Sequence, residues 1–281
     1  MRILLAQLDV VLGDIDANVE RALDVLGQAS ADGVDLVVFP ELFLTGADVG
    51  CVETDLGMGL DDPRLGRLLA ATRDGAAACV GFIQADRRSN FFNSAAYLES
   101  GQIRHVHRKV FRVTYHIFEE GKYFSAGDSM RAFDSAAGRM SILVCNDAWQ
   151  PPLVFVAVQD GAQVLLVPSD SGESTFDTVA DTRAYWRQIT RFYASMFQCY
   201  VVFVNRVGGE AGIHYWGGSH VVDPWGEVVQ EAPLHEEAQV AVDLDLAQVR
   251  RRRRQAPFLK ESRLELLAKE MNRLVNETDD E

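Results

Sequence analysis

A thiol, a carboxylate and an ammonium each stand at the end of a stretch that reads as a strand in this chain. Cys145 closes Ile142-Leu143-Val144, just ahead of the polar pair Asn146-Asp147. Glu41 follows the run Val34–Phe39 directly after Pro40. Lys109 ends the stretch His105-Val106-His107-Arg108-Lys109. A thiol is a nucleophile, a carboxylate can take its proton, and a cation can hold charge developing on an attacked carbonyl. Apolar runs that stop at a turn signal read as buried strands. Strand ends on one edge of a sheet meet in space, so the three groups would converge in a crevice. Singly, each has a plainer reading: a structural cysteine, a loop carboxylate, and a solvated lysine between Arg108 and Arg112. His105 and His107 compete as bases for the thiol, which leaves a Cys–His arrangement open.

The elements that must position these groups follow from pattern. Met1–Leu8 reads as a first strand. A helix opens at Asp14 to Asn18 with Asp16 as its cap, and Val19, Ala22, Leu23, Val25 and Leu26 give it an apolar face. Gly33 ends it, and Val34–Phe39 is the next strand, a βαβ pattern that implies parallel pairing. A loop rich in Gly and Asp, Thr45 to Asp62, leads to a helix near Arg64–Thr72 and a strand at Ala78–Gln84. Phe92–Leu98 and Gln102–His107 flank Glu99-Ser100-Gly101 as a hairpin. Arg139–Cys145 and Gln163–Pro168 are strands joined by a helix, Leu153 to Gly161, that Pro151 and Pro152 introduce. A long helix spans Phe176–Gln198 and a strand Tyr200–Val207. His220–Val222, Glu227–Gln230 and Gln239–Val242 are short strands. His214-Tyr215-Trp216 reads as a loop, either lining a pocket or on the surface. The end, Lys260–Glu281, alternates Leu with charge at helical spacing.

Composition bounds the rest. The chain has 281 residues, 48% hydrophobic and 24% charged, which fits one α/β domain over 1–281 with 257–281 as a helical extension. A formal net charge of −14 argues against nucleic acid and anionic membrane as partners. The basic block Arg250–Arg254 reads as the solvated end of a helix. No apolar run reaches the roughly 18 residues that span a bilayer. Cys51, Cys79, Cys145 and Cys199 match no zinc spacing and form no CxxC. That usage fits a reducing compartment, so the cytoplasm is the expected location, with no metal and no cofactor. All but Cys145 read as structural.

Further short motifs then fall in order along the chain. Phe39-Pro40-Glu41, Thr45-Gly46, Arg108-Lys109 and Val144-Cys145-Asn146-Asp147 are joined by Tyr115, Phe118 and Glu120. Val167-Pro168-Ser169, Asn205-Arg206-Val207-Gly208, Gly217-Gly218-Ser219 and Asp223-Pro224-Trp225-Gly226 follow. This ordered set resembles the nitrilase superfamily of carbon–nitrogen hydrolases, in its amidase-like branch. Arg112-Val113 departs from the Leu-Pro usual after the family's lysine.

The resemblance implies a four-layer αββα sandwich. It implies a Glu41–Lys109–Cys145 triad, with Glu120 as a second glutamate that orients the lysine. The backbone of Asn146 would help to hold the oxyanion, and Tyr115, Trp149, Ser169 and Asp170 would wall the substrate pocket. Trp149, where other members carry a charged reader, points to an uncharged or aromatic acyl group. Asp147 could orient the elbow at the cysteine, but a turn-capping carboxylate is the favoured expectation. The implied reaction is hydrolysis of a small-molecule amide through a Cys thioester, releasing ammonia or an amine. N-carbamoyl compounds or nitriles are alternative substrates. Asn146-Asp147 stands where nitrilases proper have Trp-Glu, which favours the amide. A soluble acyltransferase and a non-catalytic binding protein are the alternatives of another class. The resemblance also implies a homodimer or a multiple of one, paired through the helix 176–198 and the tail from 257.

Overall fold

Along the first strand successive side chains point to opposite faces, and both sets are apolar. Ile3 and Leu5 enter one buried cluster, while Leu4 and Ala6 enter another. The same alternation sends Leu36 and Val38 one way and Val37 and Phe39 the other. Strands apolar on both faces must be covered on both faces, so a layered molecule follows. The structure, a computed structural model, describes residues 1–52, 55–114, 119–173, 182–210 and 212–278.

The elements run β1 (Arg2–Gln7), α1 (Ile15–Ala31), β2 (Leu36–Val38), α2 (Pro63–Ala71), β3 (Ala77–Ala85), β4 (Phe91–Glu99) and β5 (Gln102–Arg108). A short helix α3 (Glu120–Tyr123), β6 (Ala132–Ser135), β7 (Gly138–Ile142), α4 (Pro151–Gln159), β8 (Val164–Ser169) and β9 (Gly172–Glu173) follow. Then come α5 (Thr182–Phe197), β10 (Tyr200–Asn205), β11 (Val207–Glu210), β12 (Ile213–Trp216), β13 (His220–Val222), β14 (Val228–Glu231), β15 (Ala238–Asp243), α6 (Ala247–Gln255) and α7 (Leu264–Thr278).

One six-stranded sheet has the order β15-β1-β2-β3-β4-β5, and the other β14-β13-β10-β8-β7-β6. Each has a parallel centre: β1-β2-β3 with Ile3 opposite Leu36, and β7-β8-β10 with Met140 opposite Val164. The sheets stack face to face, β1 near β10 and β3 near β8. Outside the first sheet α1 and α2 pack Val19, Ala22, Leu26, Leu65 and Leu68 into its outer cluster. Outside the second, α4 and α5 contribute Val154, Ala157, Trp186 and Tyr193. The order helix, sheet, sheet, helix is the four-layer αββα sandwich expected. A small sheet β11-β12-β9 lies beside it.

Several boundaries differ from the sequence reading. Helix α1 is capped by Asp14, whose Oδ1 accepts from the N–H of Ala17 at 3.0 Å; Asp16 lies inside the first turn. Strand β2 stops at Val38, just before Phe39-Pro40, since proline brings no N–H to a ladder. Strand β7 stops at Ile142, because the chain turns into a 3-10 helix over Cys145–Trp149. Tyr200–Val207 divides into β10 and β11 at Arg206. His214-Tyr215-Trp216 belongs to strand β12, not to a loop. Helix α5 is described from Thr182, so 176–181 of the expected helix lie outside the described residues. Arg250–Arg254 lies on α6, but Arg253 is half-buried rather than fully solvated: its Nη2 donates to the Ala162 carbonyl at 2.7 Å. Among the described residues no helix is long and apolar enough to cross a membrane.

Candidate active site

Glu41 owes its place to a glycine. Past β2 the chain bends at Leu42, whose φ of 47° is in the left-handed region. The bend rests directly on Gly81 of β3, where an added Cβ would lie 2.4 Å from the Leu42 nitrogen and 2.7 Å from the Pro40 oxygen. Only a residue without a side chain lets the two backbones approach so closely. The Glu41 carboxylate is thereby buried at 1% exposure.

Lys109 is the residue after β5. Its backbone is gripped from both sides: its N–H donates to the Asn93 carbonyl at 2.8 Å, and its carbonyl accepts from Gly127 at 2.8 Å. The Nζ, also buried, donates to Glu41 Oε1 at 2.7 Å and to Glu120 Oε1 at 2.8 Å. Glu120 opens α3, and its other oxygen accepts from the Val113 N–H at 2.6 Å. Asn93 of β4 donates through Nδ2 to Glu41 Oε1 at 2.7 Å and to Glu120 Oε1 at 3.2 Å. A buried ammonium is tolerable only with such charge and hydrogen-bond compensation.

Cys145 comes from the other sheet. It opens the turn after β7 with φ 45°, a conformation costly for a non-glycine residue and concentrated at functional sites. Asp170 follows β8 in the same sheet, and its N–H donates to Glu41 Oε2 at 3.1 Å. Donor atoms of Glu41, Cys145 and Asp170 all lie within 4.8 Å of one another. The site therefore takes Glu41, Lys109 and Asn93 from one sheet and Cys145 and Asp170 from its partner. Those three donors could in principle ligate a cation, but the Lys109 ammonium already holds Glu41, and no metal role is assigned.

Electrostatics sort the protons. Burial alone would keep Glu41 protonated, but Lys109 and the hydrogen bonds from Asp170 and Asn93 outweigh it, and its pKa is lowered. Burial likewise opposes the charge on Lys109, yet Glu120 and Glu41 raise its pKa well above the usual. Burial first, then the negative Glu41, pushes the Cys145 thiol well up. Burial and then the negative Glu41 push the Asp170 carboxyl well above the ordinary carboxylate range. At neutral pH the site holds an ionised Glu41, a protonated Lys109 and an intact Cys145 thiol.

Other expected residues separate. The histidine alternative is not supported: His107 Nε2 is committed to Asp147 Oδ2 at 2.7 Å, and His105 stacks on Phe133 with ring centroids 4.6 Å apart. Asn146 turns its side chain to the Phe111 carbonyl at 3.1 Å, so that amide anchors the turn. Trp149 packs against Tyr185 and, edge-on, Trp186. The Ser169 hydroxyl is buried and has no hydrogen-bond partner among the described residues. Tyr115 and Phe118 lie outside the described residues. Asn93 and Gly81 escaped the sequence reading. A lone Asn within the apolar run of β4 was the available signal for the first; nothing local marks the second.

A buried carboxylate held by an ammonium on one sheet, facing a thiol carried by the other, is a set of groups fit for chemistry at an acyl carbon. The chain belongs to the carbon-nitrogen hydrolase family, whose model matches residues 2–254. It is thus an enzyme acting on C–N bonds. It is 33% identical to an (R)-stereoselective amidase of a Pseudomonas species, over 95% of this chain and 93% of the relative. It is 31% identical to the glutamine-dependent NAD(+) synthetase of Thermotoga maritima over 88% of this chain, but spans only 42% of that relative's length. Among solved structures it resembles a mutant of the amidase from Nesterenkonia sp. AN1 (25% identity, TM-score 0.80, 96% of each chain covered). That structure shows covalent addition of the acetamide moiety of fluoroacetamide at the active site cysteine.

Proposed function

We propose that this chain hydrolyses a small-molecule amide through a thioester on Cys145. The observation that carries the reading is the Lys109 ammonium, held between Glu41 and Glu120 at 2.7 and 2.8 Å, beside a thiol on a left-handed turn. Glu41 takes the thiol proton as sulfur attacks the carbonyl carbon. The carbonyl π pair moves to oxygen, and Lys109 stabilises that oxyanion; one such donor is worth about 3–4 kcal/mol. Collapse breaks the C–N bond, and Glu41 passes its proton to the departing amine. Water, deprotonated by Glu41, then attacks the thioester and releases the carboxylic acid, and the thiol is restored. Glu120 holds Lys109 in line, and the Asp170 carboxyl and the Ser169 hydroxyl offer polar contacts to the substrate.

A second reading comes from the synthetase relatives. Glutamine carries a primary amide that the same steps would cleave, with the ammonia used elsewhere. One panel tests both: ammonia release from aliphatic and aromatic primary amides, N-carbamoyl compounds and glutamine. Wild-type turnover is expected on at least one amide, with Cys145→Ala retaining less than about a hundredth of it at an unchanged melting temperature. Higher residual turnover by Cys145→Ala, or no ammonia from any member, would sink the proposal.

A further inference from the structure

Asp147 has no part in the steps above, yet its carboxylate is fully buried and surrounded by donors. Oδ1 accepts from the backbone N–H groups of Val110 at 3.0 Å and Phe111 at 2.8 Å. Oδ2 accepts from the N–H of Val144 at 3.2 Å and lies 2.7 Å from His107 Nε2. Three backbone N–H groups already donate to this carboxyl, and the tautomer with a proton on His107 Nε2 adds a fourth donor. Val110 and Phe111 directly follow Lys109, and Val144 directly precedes Cys145. One carboxylate thus clasps the segment leaving the ammonium and the segment entering the thiol, which belong to different sheets. The bond from Asn146 Nδ2 to the Phe111 carbonyl ties the same two segments again. His107 is 3% exposed and sits on β5 two residues before Lys109. Fully satisfied buried networks fix one geometry, and catalytic groups need placement to about 0.5 Å.

We infer that Asp147, aligned by the His107 imidazole, is a positioning residue that sets the Cys145 thiol against the Lys109 ammonium. The inference rests on the proposed roles of Cys145 and Lys109, so its test reads the thiol directly as well as through turnover. The probe is iodoacetamide, with labelling of Cys145 followed by mass spectrometry alongside ammonia release from the best amide. His107→Phe removes the donor, whereas His107→Gln keeps an N–H near the Nε2 position. His105→Phe, on the same strand and away from Asp147, controls for general damage. Expected for His107→Phe and Asp147→Asn is a fall of about tenfold or more in both labelling rate and kcat, with KM moving less than about threefold. His107→Gln should recover to within about threefold of wild type on the same scale. His105→Phe should match wild type per folded molecule. Should Asp147→Asn not fold, the two His107 variants decide. The inference is overturned if His107→Phe keeps wild-type labelling and kcat per folded molecule, or if His105→Phe loses as much. Wild-type protein that labels selectively but releases no ammonia would remove the amide reading and leave the labelling comparison intact.

Discussion

Glu41 and Cys145 hold opposite proton states: at the carboxylate Lys109 and the hydrogen bonds outweigh burial, whereas at the thiol burial and the negative Glu41 outweigh Lys109. The carboxylate pKa therefore stays below the ordinary 4.5 while that of the thiol is raised. In the proposed mechanism Glu41 is therefore ready at rest as the base, and the proton moves only with attack. The pH dependence follows in sign. A folded-state pKa below the unfolded one gives stability that is present above about 4.5 and lost as pH falls through the lower, folded value. The acid limb of kcat/KM should accordingly lie below pH 4.5. Lys109→Met would leave Glu41 and Glu120 facing each other without a cation. Removing one partner of a buried ion pair costs about 3–5 kcal/mol. Urea melts of this variant at pH 7 should show a loss in that range; an unchanged midpoint would mean the ammonium is not needed to hold the carboxylates. The other described thiols are different in kind: burial pushes Cys79 and Cys199 up to about 12 with no base beside them.

Elements place these residues through backbone contacts that side-chain chemistry does not announce. Gly81→Ala would set a methyl against the Pro40–Leu42 backbone and push Glu41 off its partners. A shift of about 1 Å at a catalytic group can cost about a hundredfold in rate. The expectation is a loss of that order in kcat/KM with native circular dichroism; wild-type turnover would show that the bend absorbs the methyl. Convergence of Glu41, Lys109 and Cys145 was legible because each follows a stretch that reads as a strand, and strand ends on one edge of a sheet meet. The layers were legible from runs apolar on both faces. Boundaries were not: Asp14 and Asp16 are equivalent as cap residues in sequence, and only the backbone path selects the first. Ile142-Leu143-Val144 is one apolar run, but Leu143 and Val144 belong to the turn. Asn93, Gly81 and the link between His107 and Asp147 depend on which strands become neighbours, and no local pattern states that.

At the scale of the whole molecule, the outer helices carry more apolar surface than one chain covers. Tyr185, Phe192 and Met196 on α5 are 43%, 50% and 46% exposed. Leu267, Met271 and Leu274 share one face of α7 and are 40%, 54% and 49% exposed. Helical faces of this kind are commonly buried between copies, and we propose a homodimer or a multiple of it. Light scattering at micromolar concentration should give at least twice the chain mass of 31.2 kDa, and Phe192→Glu with Met271→Glu should lower it. A wild-type mass of one chain would count against the proposal.

The division of the reacting groups between two sheets also bears on how the protein acquires its activity. Neither sheet alone holds both the Cys145 thiol and the Glu41 carboxylate. Contacts between distant parts of the chain form late, because the loops they close are entropically costly. Turnover should therefore return last during refolding. The lag between recovery of circular dichroism and recovery of ammonia release would then time the docking of one sheet on the other.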